Sequence, residues 1–159
     1  MIRFDSKGLL TPKTNILTSL TEMKQHFVDG ISSDTRLENF GKYVRYSDEL
    51  KKMLNVVSLK QWINGSFVTK INNPSDIDLV TFIDFDMRLK LQIELQNFEA
   101  KGANDIYVVD AYLLTVFPEN HLKSFLFQSD RAYWMERFSR TRRDSLGKKN
   151  PKGFLEINY

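Results

Sequence analysis

Cysteine is absent from the 159-residue chain, which excludes disulfides and thiolate metal centres. Histidine is nearly absent too: His26 and His121 are too few and too far apart in the sequence for a zinc site. Any metal would therefore fall to carboxylates, hard oxygen donors that suit Mg²⁺ or Mn²⁺. No run approaches the ~20 apolar residues that span a bilayer, and the opening MIRFDSKGLLTPKT holds no apolar stretch of signal-peptide length. A cytoplasmic protein without a membrane partner is the expectation. Internal repeats and low-complexity linkers are also missing, so one domain is expected over residues 1–159. What is present suffices to build it, since 42% hydrophobic and 27% charged residues match a globular chain able to bury a core.

The net charge of +3 hides an asymmetry. Between Asp130 and Lys152 stand eight basic residues (Arg131, Arg137, Arg140, Arg142, Arg143, Lys148, Lys149, Lys152) against three acidic ones (Asp130, Glu136, Asp144). Such a segment attracts nucleotide phosphates or nucleic acid, although a solvated helix face is the commoner origin of a charge run.

Periodicity sketches the rest. The stretch to about Thr18 reads as an irregular arm. Ser19 and Glu22 have capping-box spacing before a short helix to about Asp29. A second helix is predicted from Ser33 or Asp34, with Leu37, Phe40, Val44, Ser47, Leu50 and Leu54 as its inward stripe. This helical pair, about 19–54, reads as packing on the core. Strands are predicted over Val56 to Asn64, Asp76 to Ile83 and Ile106 to Val116, with a short edge strand over Phe154 to Ile157. Asp84 and Asp86 are expected to cap one helix carrying Met87, Leu91, Leu95 and Phe98, stopping near Gly102. A helical run from about Glu119 to Gln128 and a second, capped by Ser129 or Asp130, complete an α/β pattern.

Chemistry concentrates in WINGSFVTKINNPSDIDLVTFI, Trp62 to Ile83. In an extended strand Asp76 and Asp78 project to one face, and two like charges so placed repel. Either one pKa rises or a divalent cation sits between them; a hard cation is the favoured reading. Just upstream, Gly65 lets the backbone approach a phosphate closely and Ser66 offers a hydroxyl donor. Asn72-Asn73-Pro74-Ser75 is the turn that aims the carboxylates. Asp110 lies in an otherwise apolar run and needs a partner if buried; Asp78 and a metal on a strand ~4.8 Å away would serve, a hydrogen-bonded buried Asp or a bulge being the alternative.

Gly65-Ser66, nine intervening residues and Asp76-Ile77-Asp78 together resemble the signature of the polymerase-beta-type nucleotidyltransferase superfamily. Over the whole chain, GSFVT, NPSDIDLV, VVDAY and PKGFLEI look similar to a group of small bacterial and phage nucleotidyltransferase-like proteins. The resemblance implies an α/β nucleotidyltransferase fold, a small mixed sheet flanked by helices. It further implies Asp76, Asp78 and Asp110 as catalytic metal ligands for Mg²⁺ or Mn²⁺, and Gly65 and Ser66 as the nucleotide-binding pair. The reaction so implied moves a nucleoside monophosphate from an NTP, ATP first among the candidates, to a hydroxyl of a protein or RNA acceptor, in a toxin–antitoxin or phage-defence setting. Small toxin-associated members carry a basic residue after G-S where this chain has Phe67-Val68. A catalytically inactive binding module, either an antitoxin-like partner protein or a nucleic-acid binder, is the alternative on the same fold.

Overall fold

The computed structural model describes residues 2–159. In chain order its strands are β1 (Arg3–Phe4), β2 (Leu10–Thr11), β3 (Asn15–Thr18), β4 (Lys60–Asn64), β5 (Asp78–Asp84), β6 (Asp110–Val116) and β7 (Phe154–Asn158). The helices are α1 (Leu20–Lys24), continued by a π turn over Gln25–Asp29, α2 (Asp34–Leu54), α3 (Phe85–Lys90), α4 (Ala100–Tyr107) and α5 (Ser124–Phe138), with a 3₁₀ turn at Glu94–Phe98. Five strands form a mixed sheet in the order β3-β7-β4-β5-β6, and β1 pairs with β2 in a separate antiparallel ribbon. Within the large sheet β3–β7 and β5–β6 are parallel, while β4 is antiparallel to both neighbours.

Side chains alternate across a strand, and the alternation divides two cores. Ile63, Leu79, Ala111, Leu155 and Ile157 face a large cluster that includes Phe40, Tyr43, Tyr46 and Leu50 of α2. Trp62, Val80, Leu114 and Phe154 face the other way, packing with Phe138 of α5.

The long helix α2 is set by its ends. The Ser33 hydroxyl accepts from the Arg36 N–H, and Asn55 closes the helix in the left-handed region. Its buried stripe is more polar than the periodicity predicts: Ser47 is buried as expected, but Leu37 is exposed, whereas Arg36 and Asn39 are buried. Arg36 explains the exchange. Its Nη1 donates to the carbonyls of Phe27 (3.0 Å) and Phe67 (2.7 Å), its Nη2 to those of Thr69 (2.7 Å) and Ile71, and its Nε to Ile71 (3.1 Å). Burial pulls the guanidinium down to about 10, so it is still charged at neutral pH. Asn39 donates to the Pro74 carbonyl at 2.8 Å and Ser33 to Asn73 at 2.9 Å. One helix face thereby shapes the whole connection between β4 and β5. Further along, Tyr43 donates to Gln61, whose amide reaches Thr81 and Ser47, so the polar groups beneath α2 are satisfied.

Several expectations are corrected. The first stretch is not an irregular arm: it supplies β1, β2 and the sheet edge β3, because β3 finds β7 from the far end of the chain. For the same reason Phe154–Asn158 lies between β3 and β4 and is not an edge strand. Asp76 stands before β5 rather than in it, and Asp110 opens β6 rather than lying mid-strand, since the Ile106 region ends α4 and Val108 turns left-handed. The single helix expected to stop near Gly102 is three short pieces. Gly102 is inside α4, where a Cβ would collide with the Gln96 carbonyl. Asp84 occupies a helix-start position but makes no capping bond through its side chain. The two helical runs after Glu119 are one helix, α5. Among the described residues no helix is long and apolar enough to cross a membrane.

Arg36→Lys keeps the charge but loses the fork that serves several carbonyls. It should lower unfolding free energy by roughly 2–4 kcal/mol, the scale of a few lost charge-assisted bonds with their acceptors left buried. Urea denaturation measures it, and a loss below about 1 kcal/mol would show that the loop is held by something other than this fork.

Candidate active site

Strand register does what spacing alone does not. Asn64 pairs with Asp78 in the β4–β5 ladder, and Asp78 pairs with Asp110 in the β5–β6 ladder. The three side chains therefore stand in one row on the α5 side of the sheet, where β4 ends and both β5 and β6 begin. The Asp110 amide donates to the Ile77 carbonyl at 3.1 Å and secures the row. Asp76 approaches from the loop, its carboxylate accepting from the Ser75 hydroxyl at 3.1 Å.

Gly65 follows Asn64 with φ +82°, and a Cβ there would collide with the Asp78 carboxylate. Both the backbone conformation and the close approach call for glycine. Gly65 and Ser66 line a cleft of about 560 Å³ together with Asn64, Asp76 and Asp78. Asp110 stands beside this wall through its pairing with Asp78. The opposite wall comes from the end of α5 and the loop after it: Arg137, Phe138, Arg140, Thr141, Arg142, Arg143 and Lys149, with Lys152 at the back. Anionic and cationic walls thus face each other across one space.

Lys152 is the most buried cation of the cleft. It is only 3% exposed, and its ammonium donates to Asn64 Oδ1 and, at 3.3 Å, to the Gly65 carbonyl. Burial pulls its pKa down to about 8, against the upward pull of Asp78. Asp78 is displaced in the complementary sense: burial first, then the Asp76 and Asp110 carboxylates, push it up to about 6, opposed by Arg142. The Arg142 guanidinium lies 3.7 Å from Asp78, but at 85% exposure it is a weak, solvent-screened partner. The loop carrying these cations is tied at its base by Thr141 N–H to Asn150 and Lys152 N–H to Ser139.

All five residues named from the sequence, Gly65, Ser66, Asp76, Asp78 and Asp110, meet at this end of the sheet. Asp84 ends β5 and Asp86 follows in α3, at the far end of the strand from the site. Sequence reasoning missed Asn64 and Arg36 and could not single out Lys152. Asn64 was recoverable from the alternation that puts it on the Trp62 face; Arg36 was signalled only as a charge in an apolar stripe.

Among the described residues no group of three or more His, Cys, Asp or Glu side chains is arranged to hold a metal ion. The donor chemistry nonetheless fits a hard divalent cation: all three carboxylates supply oxygen only, and their mutual repulsion falls on Asp78.

The comparisons add a family without an activity. Residues 2–158 match a family of unknown function, DUF6932, and the chain belongs to it. Neither a curated protein nor a solved structure matches the chain.

The raised Asp78 has a measurable consequence. Its neutral form stabilises the fold below about pH 4, and that contribution is lost as pH rises through about 6, where the buried group ionises beside two carboxylates. At ~1.4 kcal/mol per unit the loss is on the order of 2–3 kcal/mol. Asp78→Asn should therefore gain stability relative to the parent between pH 4 and pH 7, read by urea unfolding without divalent cations; parallel pH profiles would refute the shift. Gly65→Ala should cost roughly 1–3 kcal/mol from the strained backbone alone, with more from the displaced carboxylate.

Proposed function

We propose that this DUF6932 protein is a metal-dependent nucleotidyltransferase with a polymerase-beta-type fold. The observation that carries the reading is the Asn64-Asp78-Asp110 row with Asp76 beside it, faced across the cleft by arginines and a buried lysine. Carboxylates opposite cations in one cleft suit a metal-bound triphosphate better than either wall suits a ligand alone.

Each residue has a part in that reaction. The Ser66 hydroxyl and the Lys152 ammonium, at the closed end, hold the outer phosphates, with Gly65 leaving room for them beside Asp78. Arg140 and Arg142 neutralise the remaining triphosphate charge from the opposite wall. Asp76, Asp78 and Asp110 would hold a divalent cation, Mg²⁺ or Mn²⁺, which would supply charge neutralisation and lower the pKa of the acceptor hydroxyl. Asp110, beside the cleft rather than in its wall, receives the acceptor hydroxyl and takes its proton as the new O–P bond forms at the α-phosphorus. The bond to the pyrophosphate oxygen breaks, and pyrophosphate leaves against Lys152 and the arginines. The acceptor is a hydroxyl of a protein or an RNA, in a toxin–antitoxin or phage-defence context.

A second reading, a binding module on the same scaffold, draws on the exposed basic loop and on carboxylates that do not converge on one point. The two part in one experiment. Purified protein is incubated with each α-labelled NTP and Mg²⁺ or Mn²⁺, together with total RNA or a cell lysate. Label should appear on an acceptor with the parent and fall at least 100-fold with Asp78→Asn, while Mg²⁺ should raise the melting temperature of the parent at pH 8 and not that of the variant. Lys152→Met should raise the KM for NTP more than it lowers kcat. No label and no metal-dependent NTP binding by calorimetry would remove the enzyme and leave the module.

A further inference from the structure

Asp110 has a second neighbourhood, on β6 and α5, with Arg137 at its border with the cleft. Asp110 and Tyr112 lie two apart on β6 and share a face. The Tyr112 ring packs on Trp134 of α5 with centroids 4.6 Å apart, and Trp134 meets Tyr133 edge-on at 5.3 Å. The Arg137 guanidinium lies 5.3 Å over the Trp134 ring and donates to the Tyr133 hydroxyl at 3.0 Å. Tyr133 is 55% exposed and Arg137 is exposed, so this end of α5 shows solvent an aromatic ring and a guanidinium plane held to one another. The platform runs directly into the basic loop: from Arg137 to Lys152 there are seven basic residues and one acidic.

We infer that Tyr133, Trp134 and Arg137 form a stacking platform for the terminal base of a single-stranded RNA, whose backbone follows the loop 139–149 and whose end hydroxyl is delivered to Asp110. The inference rests on the nucleotidyl-transfer reading above and names its acceptor. Aromatic and guanidinium planes bind unpaired bases, and an adjoining cationic track binds the phosphates that follow. A peptide hydroxyl brings neither a base for the platform nor phosphates for the loop. The base of the incoming NTP is placed elsewhere, because its triphosphate occupies the opposite, Gly65-Ser66 side. RNA is preferred to DNA because the Tyr112 hydroxyl, which both donates and accepts, stands next to Asp110 on the same face of β6 and suits a 2′-hydroxyl at the delivered end.

The test measures RNA binding without nucleotide. The probes are a 5′-fluorescein unstructured 10-mer RNA, the same sequence as DNA, and a blunt RNA duplex, titrated at 50 and 200 mM salt and followed by anisotropy. Parent protein should prefer the single-stranded RNA. Tyr133→Ala should weaken it about 10-fold, as expected for one lost stacking partner. Lys148→Gln/Lys149→Gln should flatten the log–log salt slope by about one to two, as two lost phosphate contacts require. Lys24→Gln, remote from the cleft, should bind as the parent does, and circular dichroism confirms that each variant is folded. No binding, equal binding of the DNA, or a Tyr133→Ala protein that binds like the parent would overturn the inference. A weakened NTP affinity in Tyr133→Ala without weakened RNA binding would do so too, assigning the platform to the incoming nucleotide. Label transferred only to protein, with no Tyr133-dependent RNA binding, removes the platform and leaves the transferase. Tyr133-dependent RNA binding without label transfer removes the transferase and leaves the platform.

Discussion

A single buried guanidinium organises the site without touching it. Arg36 sits on α2, yet its donors end on carbonyls of Phe67, Thr69 and Ile71, in the connection between Gly65-Ser66 and Asp76. All of its acceptors are backbone oxygens, so the charge is solvated by dipoles in place of water or a carboxylate. Burying an ion this way is costly unless nearly every donor is met. That requirement is what defines the loop: Phe67, Thr69 and Ile71 must present their carbonyls inward together, and Phe67 is itself buried with Arg36 5.2 Å over its ring. Ser33 and Asn39, one turn to either side on the same face, extend the template to Asn73 and Pro74. Phe67 and Val68 are accordingly core residues, and the positive charge of the cleft comes from the end of α5 and the loop after it.

The electrostatics of the cleft follow from where that loop delivers its residues. Asp78 is crowded by burial and by two carboxylates, and Lys152 is held in a site that disfavours its charge. Each is displaced toward its neutral form; Asp78 lessens the displacement of Lys152, and Arg142 lessens that of Asp78. A ligand with both a cation and phosphates would relieve both at once, the cation at Asp78 and the anion at Lys152. This complementarity, more than any single residue, distinguishes the cleft from a merely charged surface.

Much of this was legible from the chain. The capping box at Ser19 and Glu22 forms as spaced, because it depends only on neighbours within one turn. The positive φ at Gly65 is likewise announced by residue identity, whereas the Asn72-to-Ser75 stretch is held from a distance by Ser33 and Asn39. Strand positions of Asp76 and Asp110 were legible only approximately: apolar runs continue from a helix into a strand without a break in composition, so Ile106 and Tyr107 read as β6 while they end α4. The strand β3 was invisible, since its partner β7 lies at the opposite end of the sequence and four residues carry little pattern of their own.

The sequence by itself determined the chemistry that can be held here: oxygen ligands and no sulfur, a glycine and a serine ahead of paired aspartates, and a cationic segment near the end. These follow from residue identity and from spacings of a few positions, which local geometry converts directly into faces and turns. Only the tertiary structure decided that Asn64, Asp78 and Asp110 share a row, that Lys152 lies behind them, and that Arg36 shapes the loop between. Those meetings join segments 14 to 88 residues apart, and they are set by ladder register and by the need to satisfy buried polar groups, neither of which any short window of sequence contains.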